Sequence, residues 1–120
     1  MLQLNQSQFD AIEQSFRQQR RNRLARIFTL TYPDLAAQRP PTGDLVQYFD
    51  QVIADGHSIE IRDDDQLLEC AAIGILIHGV AADTFTLALI LRILLNAEAS
   101  PRERLDFIWN NLLRRPESSA

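Results

Sequence analysis

Apolar positions recur along this chain at helical spacing almost from its start. Phe9, Ile12, Phe16, Leu24 and Ile27 fall on one face at about 100° per residue, which predicts a long first helix. Asn5 stands where a cap belongs, Gln8 completes a capping box, and Leu4 is placed to staple onto Phe9. Pro33 ends the helix, because the preceding Tyr32 is pushed out of helical geometry. Arg39-Pro40-Pro41-Thr42-Gly43 reads as a connector. A second helix from about Asp44 to Asp55 turns Leu45, Phe49, Val52 and Ile53 inward, with Gly56 as its stop. Ile59-Glu60-Ile61 alternates like a strand, but it is too short and solitary to build a sheet and is expected to be an extended linker.

Asp63 followed by Gln66 repeats the capping logic for a third helix, which Gly79 ends. Leu67 to Ile77 is apolar on nearly every side except at Glu69, and a helix hydrophobic all round belongs in the middle of a bundle. Asp83 caps a fourth helix through Leu87, Ile90, Leu91, Leu94 and Leu95. Ser100-Pro101-Arg102-Glu103 joins an N-cap, a proline in first position and a reciprocal glutamate, and Leu105, Ile108, Trp109 and Leu112 line the fifth helix that follows. The pattern predicts an all-α, single-domain bundle of about five helices over residues 1–115, with a frayed tail at 116–120. Its expected core holds Leu67, Ala71, Ile75, Leu91, Leu94, Ile108 and Trp109.

Composition agrees with one folded domain. The chain has 120 residues, and 46% hydrophobic against 23% charged residues argues against wholesale disorder. Cys70 is the single cysteine, so one chain can form neither an internal disulfide nor a cysteine-based zinc site. The longest stretch free of Asp, Glu, Lys and Arg runs from Cys70 to Ala82, short of the roughly 20 residues that a membrane span needs. The first residues lack the basic start and apolar core of a secretory signal, which predicts a cytoplasmic protein.

Charge divides the chain unevenly. Residues 1–33 carry two acids against five arginines, residues 34–83 carry ten acids against two arginines, and no lysine occurs anywhere. Arg17, Arg20, Arg21, Arg23 and Arg26 are therefore the candidate partner-binding residues. A phosphate-gripping surface needs its guanidinium groups on one stripe. In helical projection Arg20 and Arg23 fall on the apolar stripe of Phe9, Arg17 and Arg21 lie well to one side of it, and Arg26 lies well to the other. That scatter makes a nucleic-acid-binding regulator the alternative reading rather than the first. Arg20 and Arg23 are expected to meet acids of the 34–83 segment, within the fold or across an interface. Arg17 and Arg21 are expected to be the least buried pair.

No catalytic, cofactor or metal site emerges. Counting from Asp63, a calcium loop needs glycine sixth and glutamate twelfth, where Leu68 and Gly74 stand. Acids in the first turn of a helix suit capping and the macrodipole. Cys70 and His78 lie eight residues apart on one helix, about 12 Å along its axis, too far for a working nucleophile and base. Gly74 between them suits close helix packing, and neither a glycine-rich phosphate loop nor a G-x-S-x-G or H-E-x-x-H motif occurs.

The order of the elements carries one more signal. Gln8-Phe9 through Phe16 opens the chain and Tyr32-Pro33 halts the first helix. Gly56 through Ile59, the acid-capped Asp63 through Leu68, and Ser100-Pro101 through Leu105 follow. This order resembles a loosely defined family of small helical proteins encoded beside type VI secretion effectors in Gram-negative bacteria. The family's Arg-Ala-x-x-Tyr-Gly step stands here as Val52-Ile53-Ala54-Asp55-Gly56-His57, and its aromatic-glycine helix ending as Ile77-His78-Gly79. The resemblance implies a non-enzymatic partner-binding accessory protein, either an effector-binding chaperone or adaptor or an immunity protein. Its expected partner is a protein, such as a secreted effector, and no catalytic residue transfers.

Overall fold

The computed structural model describes residues 5–38, 40–41, 43–79 and 83–116. Among them are six helices and no strand: α1 (Gln6–Thr31), α2 (Pro33–Ala36), α3 (Leu45–Ser58), α4 (Asp64–Gly79), α5 (Thr84–Leu94) and α6 (Pro101–Asn111). Five of these are the helices the periodicity predicts. The addition, α2, is a single turn that Pro33 opens after ending α1. Leu4 and its staple to Phe9, Arg39, Thr42, residues 80–82 and residues 117–120 of the expected tail lie outside the described residues. No described helix is long and apolar enough to cross a membrane.

Helix starts follow the capping residues. Asn5 Oδ1 accepts from Gln8 N at 2.8 Å while Gln8 Oε1 accepts from Asn5 N at 3.0 Å. Asp44 and Gln47 do the same for α3, and Ser100 and Glu103 for α6. Asp83 takes the Thr86 N–H at 2.7 Å to start α5. Each pairing satisfies backbone donors that a helix start leaves without an internal acceptor.

Helix α4 sits centrally, packed against α1, α2, α3 and α6, as its all-round apolarity predicts. Leu67, Ala71, Ala72, Ile73 and Ile75 are buried along it. Phe28 of α1 meets Phe49 of α3 edge-on at 5.4 Å between ring centroids. Leu105, Ile108 and Trp109 close the core from α6. Gly74 is where α3 comes close: a Cβ there would collide with the Tyr48 hydroxyl, which donates to the Ala71 carbonyl at 2.8 Å.

Three expectations need correction. Leu91 is not core, being 56% exposed, while Leu94 is partly buried against the core. Helix α5 lies on α6 and buries Ile90, and Leu91 is turned about 100° away from that side. Gly56 does not stop α3, which continues to Ser58; Gly56 is buried there, and a Cβ would stand 2.9 Å from the Ile61 carbonyl oxygen. The segment Ile59–Ile61 is a tight helix cap, not an extended linker. Ile61 N donates to Gly56 O at 2.8 Å and Glu60 N to His57 O at 3.2 Å, with Glu60 left-handed at φ 67°. This is the Schellman arrangement, which folds buried Ile61 back onto the core.

A glutamate at that left-handed position carries a steric cost that glycine avoids. Glu60→Gly is expected to stabilise the fold by about 1 kcal/mol, raising the urea midpoint with no change in slope. An unchanged or lower midpoint would contradict this account of the cap.

Candidate functional site

The arginines of α1 are mostly turned inward on acids. Arg20 donates from Nε and Nη2 to Asp64 Oδ1 at 3.2 and 3.0 Å, and from Nη2 to the Arg62 carbonyl at 2.6 Å. Arg23 Nη2 reaches Asp64 Oδ2 at 2.8 Å. One carboxylate at the start of α4 thus anchors two arginines, as expected of residues meeting the acidic middle segment within the fold. His57 stands 3.2 Å from Arg20 Nη1; loss of water around the ring and then the charges of Arg20 and Arg62 hold its pKa below the ordinary value.

Arg21 does not belong to the least buried pair. Its side chain is 27% exposed, its Nε is buried without a hydrogen bond, and an Asp50 carboxylate oxygen lies 3.7 Å from its Nη1. Arg17, bridged to Glu13 at 3.2 Å, is exposed, and so is Arg26. The five arginines do not form one phosphate-facing surface.

Two buried charge sites escape sequence reasoning. Glu69, 7% exposed, accepts a bidentate pair from Arg102 at 2.5 and 2.7 Å, the Trp109 indole N–H at 2.9 Å and Arg115 at 3.2 Å. Burial alone would raise its pKa, but the hydrogen bonds and charge of Arg102, the Trp109 N–H and the charge of Arg115 outweigh it and hold the carboxyl below the ordinary range. Arg104, 3% exposed, donates to three main-chain carbonyls, of Leu94 at 2.7 Å, Ile59 at 2.9 Å and Ala99 at 3.0 Å. Both sites join one helix to another through bonds made inside the chain.

Cys70 lies near the middle of α4 and His78 at its last turn, eight residues on. Burial, helped by the nearby Glu69 charge and opposed by Arg104, pushes the Cys70 thiol up to about 12. It is therefore a thiol and not a nucleophilic thiolate at neutral pH.

Part of the exposed surface is apolar. Residues 5–19 are exposed throughout, so the first half of α1 stands off the core as an arm. Phe9, Ile12 and Phe16 keep 43–65% of their surface in water along one side of it. They do not continue the buried face. That face is made by Leu24, Ala25 and Phe28, and in helical projection its centre lies about a third of a turn round the helix from the stripe. One long helix therefore carries two apolar faces, and only the later one is used by the core.

Helix α5 holds the second exposed surface. Phe85 is 76% exposed, and with Leu91 and Leu95 it lines a shallow depression of about 540 Å³. Leu91 and Leu95 also border a groove of about 440 Å³ whose other lining residues include Tyr48, Val52, Ile59, Cys70 and Gly74. The α5 surface is thus continuous with that groove. Phe85, Leu91 and Leu95 form one contiguous apolar surface. Comparison of the chain with protein-family models, curated proteins and solved structures yields no match.

Proposed function

We propose that this protein is a non-enzymatic protein–protein interaction module that docks a larger protein on the outer face of α5. The observation that carries the reading is the run of Phe85, Leu91 and Leu95, exposed on one side of the bundle and continuous with a groove. A polar partner has little to recognise there, because Arg92 is the only charged residue in α5. A protein surface with its own apolar anchors fits it.

The finer proposal is a cytoplasmic adaptor of a type VI secretion locus. It would hold an effector before export or neutralise a toxin acting in the cytoplasm. Its support is the order of capped helices along the chain, together with an apolar face free to be covered. The test is affinity capture from the native host with the unaltered chain and with Phe85→Asp. The unaltered chain is expected to retain a protein encoded by a neighbouring gene. Phe85→Asp is expected to lose it, with an unchanged helical spectrum. Equal capture by both, or no capture by either, would overturn the docking face.

A further inference from the structure

We infer that the α1 arm pairs antiparallel with the arm of a second copy, making the protein a two-fold dimer. This deepens the adaptor reading by assigning the second apolar surface, and it is tested without the α5 partner.

The first ground is the arm itself. Gln6 to Gln19 is an exposed helical stretch, closed by a capping box at its tip. Apart from the cleft that Glu13 and Arg17 share with Asp50 and Ile53 of α3, it is unpacked among the described residues. A helix of that length is marginal in water on its own, and aromatic side chains along it add apolar exposure. The spacing of Phe9, Ile12 and Phe16, three then four residues, is the narrow seam of a helix pair rather than the broad face of a globular core. Antiparallel pairing sets Phe16 of one copy against Ile12 of its partner, and Ile12 against Phe16.

Charge selects the orientation and the occupant. In helical projection Asp10, Glu13 and Arg17 lie on the same flank of the seam, with Arg20 beyond them already held by Asp64. The acids come first along the helix and the bases second. The opposite flank, Gln8, Ala11, Ser15 and Gln18, is uncharged. In an antiparallel pair the charged flank faces its own symmetry mate. With Phe16 over Ile12, Glu13 then lies within about one turn of the partner's basic Arg17 position, so the exposed pair made within each chain at 3.2 Å is joined by its symmetry mate into a four-charge cluster. A parallel pair would set each charged flank against the neutral one. The surface is thus self-complementary in one orientation, as a two-fold interface requires.

The area fits a modest association. Each aromatic side chain offers on the order of 100 Å² of its roughly 150–250 Å². Three seam side chains of that order per arm amount to roughly 600 Å² over two arms, so the polar flanks must contribute about as much again to reach the low end of specific interfaces, about 1,200 Å². Area alone does not set affinity; the aromatic contacts of the seam are expected to hold the dissociation constant on the order of micromolar.

Sedimentation of the full chain over a concentration series up to about 100 μM is expected to show a reversible monomer–dimer equilibrium. Phe16→Glu is expected to weaken dimerisation at least about 100-fold while leaving the folded helical spectrum in place, since the arm is outside the core. Glu13→Arg and Arg17→Glu are each expected to weaken it about 3- to 10-fold, and the double swap to restore it. In a Cys70→Ala background, Ser15→Cys is expected to cross-link between chains, because antiparallel pairing brings the two Ser15 positions together near the dyad. A monomer at every concentration overturns the dimer, and a dimer unaffected by Phe16→Glu overturns the arm as its seat. Loss of partner capture by Phe85→Asp with the dimer intact separates the two surfaces. Intact capture by a monomeric chain overturns this inference alone.

Discussion

Replacing Arg104 by methionine is expected to lower stability by about 3–5 kcal/mol and the melting temperature by more than about 10 °C. The buried guanidinium donates to the carbonyls of Ile59, Leu94 and Ala99. Ile59 is the C-cap of α3 and Leu94 the last residue of α5. Both therefore present the negative ends of helix dipoles to the charge. Each charge-assisted bond contributes about 1.5–3 kcal/mol, and methionine would fill the space while leaving the carbonyls unpaired. Against a total of roughly 5–15 kcal/mol for a domain, that loss approaches unfolding. Arg104→Lys keeps the charge but gives up the planar fork that reaches several carbonyls at once, so it is expected to fall between the two. Thermal and urea unfolding of the three proteins would check this order. Equal stability of Arg104→Met and the unaltered chain would remove Arg104 from its structural role.

The difference between what the sequence reveals and what it hides follows from the range of the forces involved. Helix starts depend on residues three apart, and Asn5, Asp83 and Ser100 cap where local chemistry places them. The burial of α4 is likewise legible, because apolar residues on every side leave only the middle of the bundle. Periodicity is blind to which apolar face is covered. Periodicity groups Phe9, Ile12 and Phe16 with Leu24 and Ile27, and only the tertiary arrangement shows that the core takes Leu24 together with Ala25 and Phe28 and leaves the first three exposed. Leu91 escapes for the same reason: α5 is apolar nearly all round, and its contact with α6 selects Ile90.

Long-range charge pairing is legible only in part. The sign split along the chain points Arg20 and Arg23 at the acidic segment, where both meet Asp64. Nothing local distinguishes Arg104, which is buried, from Arg102 two residues earlier, which bridges to Glu69. One available signal is a lone glutamate inside an apolar helix, which implies cationic partners brought from elsewhere in the chain. The candidate docking surfaces have no such signal, because exposure is a property of what the rest of the chain leaves uncovered.

The last expected result concerns that glutamate and pH. Glu69 joins α4 to α6 through the bidentate pair with Arg102 and the Trp109 N–H, and Arg115, 5.2 Å above the Trp109 ring, adds a second cation. Arg102 and Arg115 keep 42% and 50% of their side chains in water, so losing the carboxylate strands the buried indole N–H more than the cations and costs about 1–3 kcal/mol. Glu69→Gln is expected to lose that much at pH 7, since the amide removes the charge and turns a donor toward guanidinium and indole N–H groups. The sign of the pH effect follows from the carboxyl being held below its ordinary value of 4.5. Its contribution is complete above that value and declines as pH falls through the lower folded value. The stability gap between the unaltered chain and Glu69→Gln should therefore be constant from pH 7 to about 5 and narrow below about 4.5. Urea unfolding of both proteins across that range measures the gap directly. A gap that stays constant down to pH 3 would mean that the Glu69 charge does not hold α4 and α6 together, leaving only the shape of its side chain to do so.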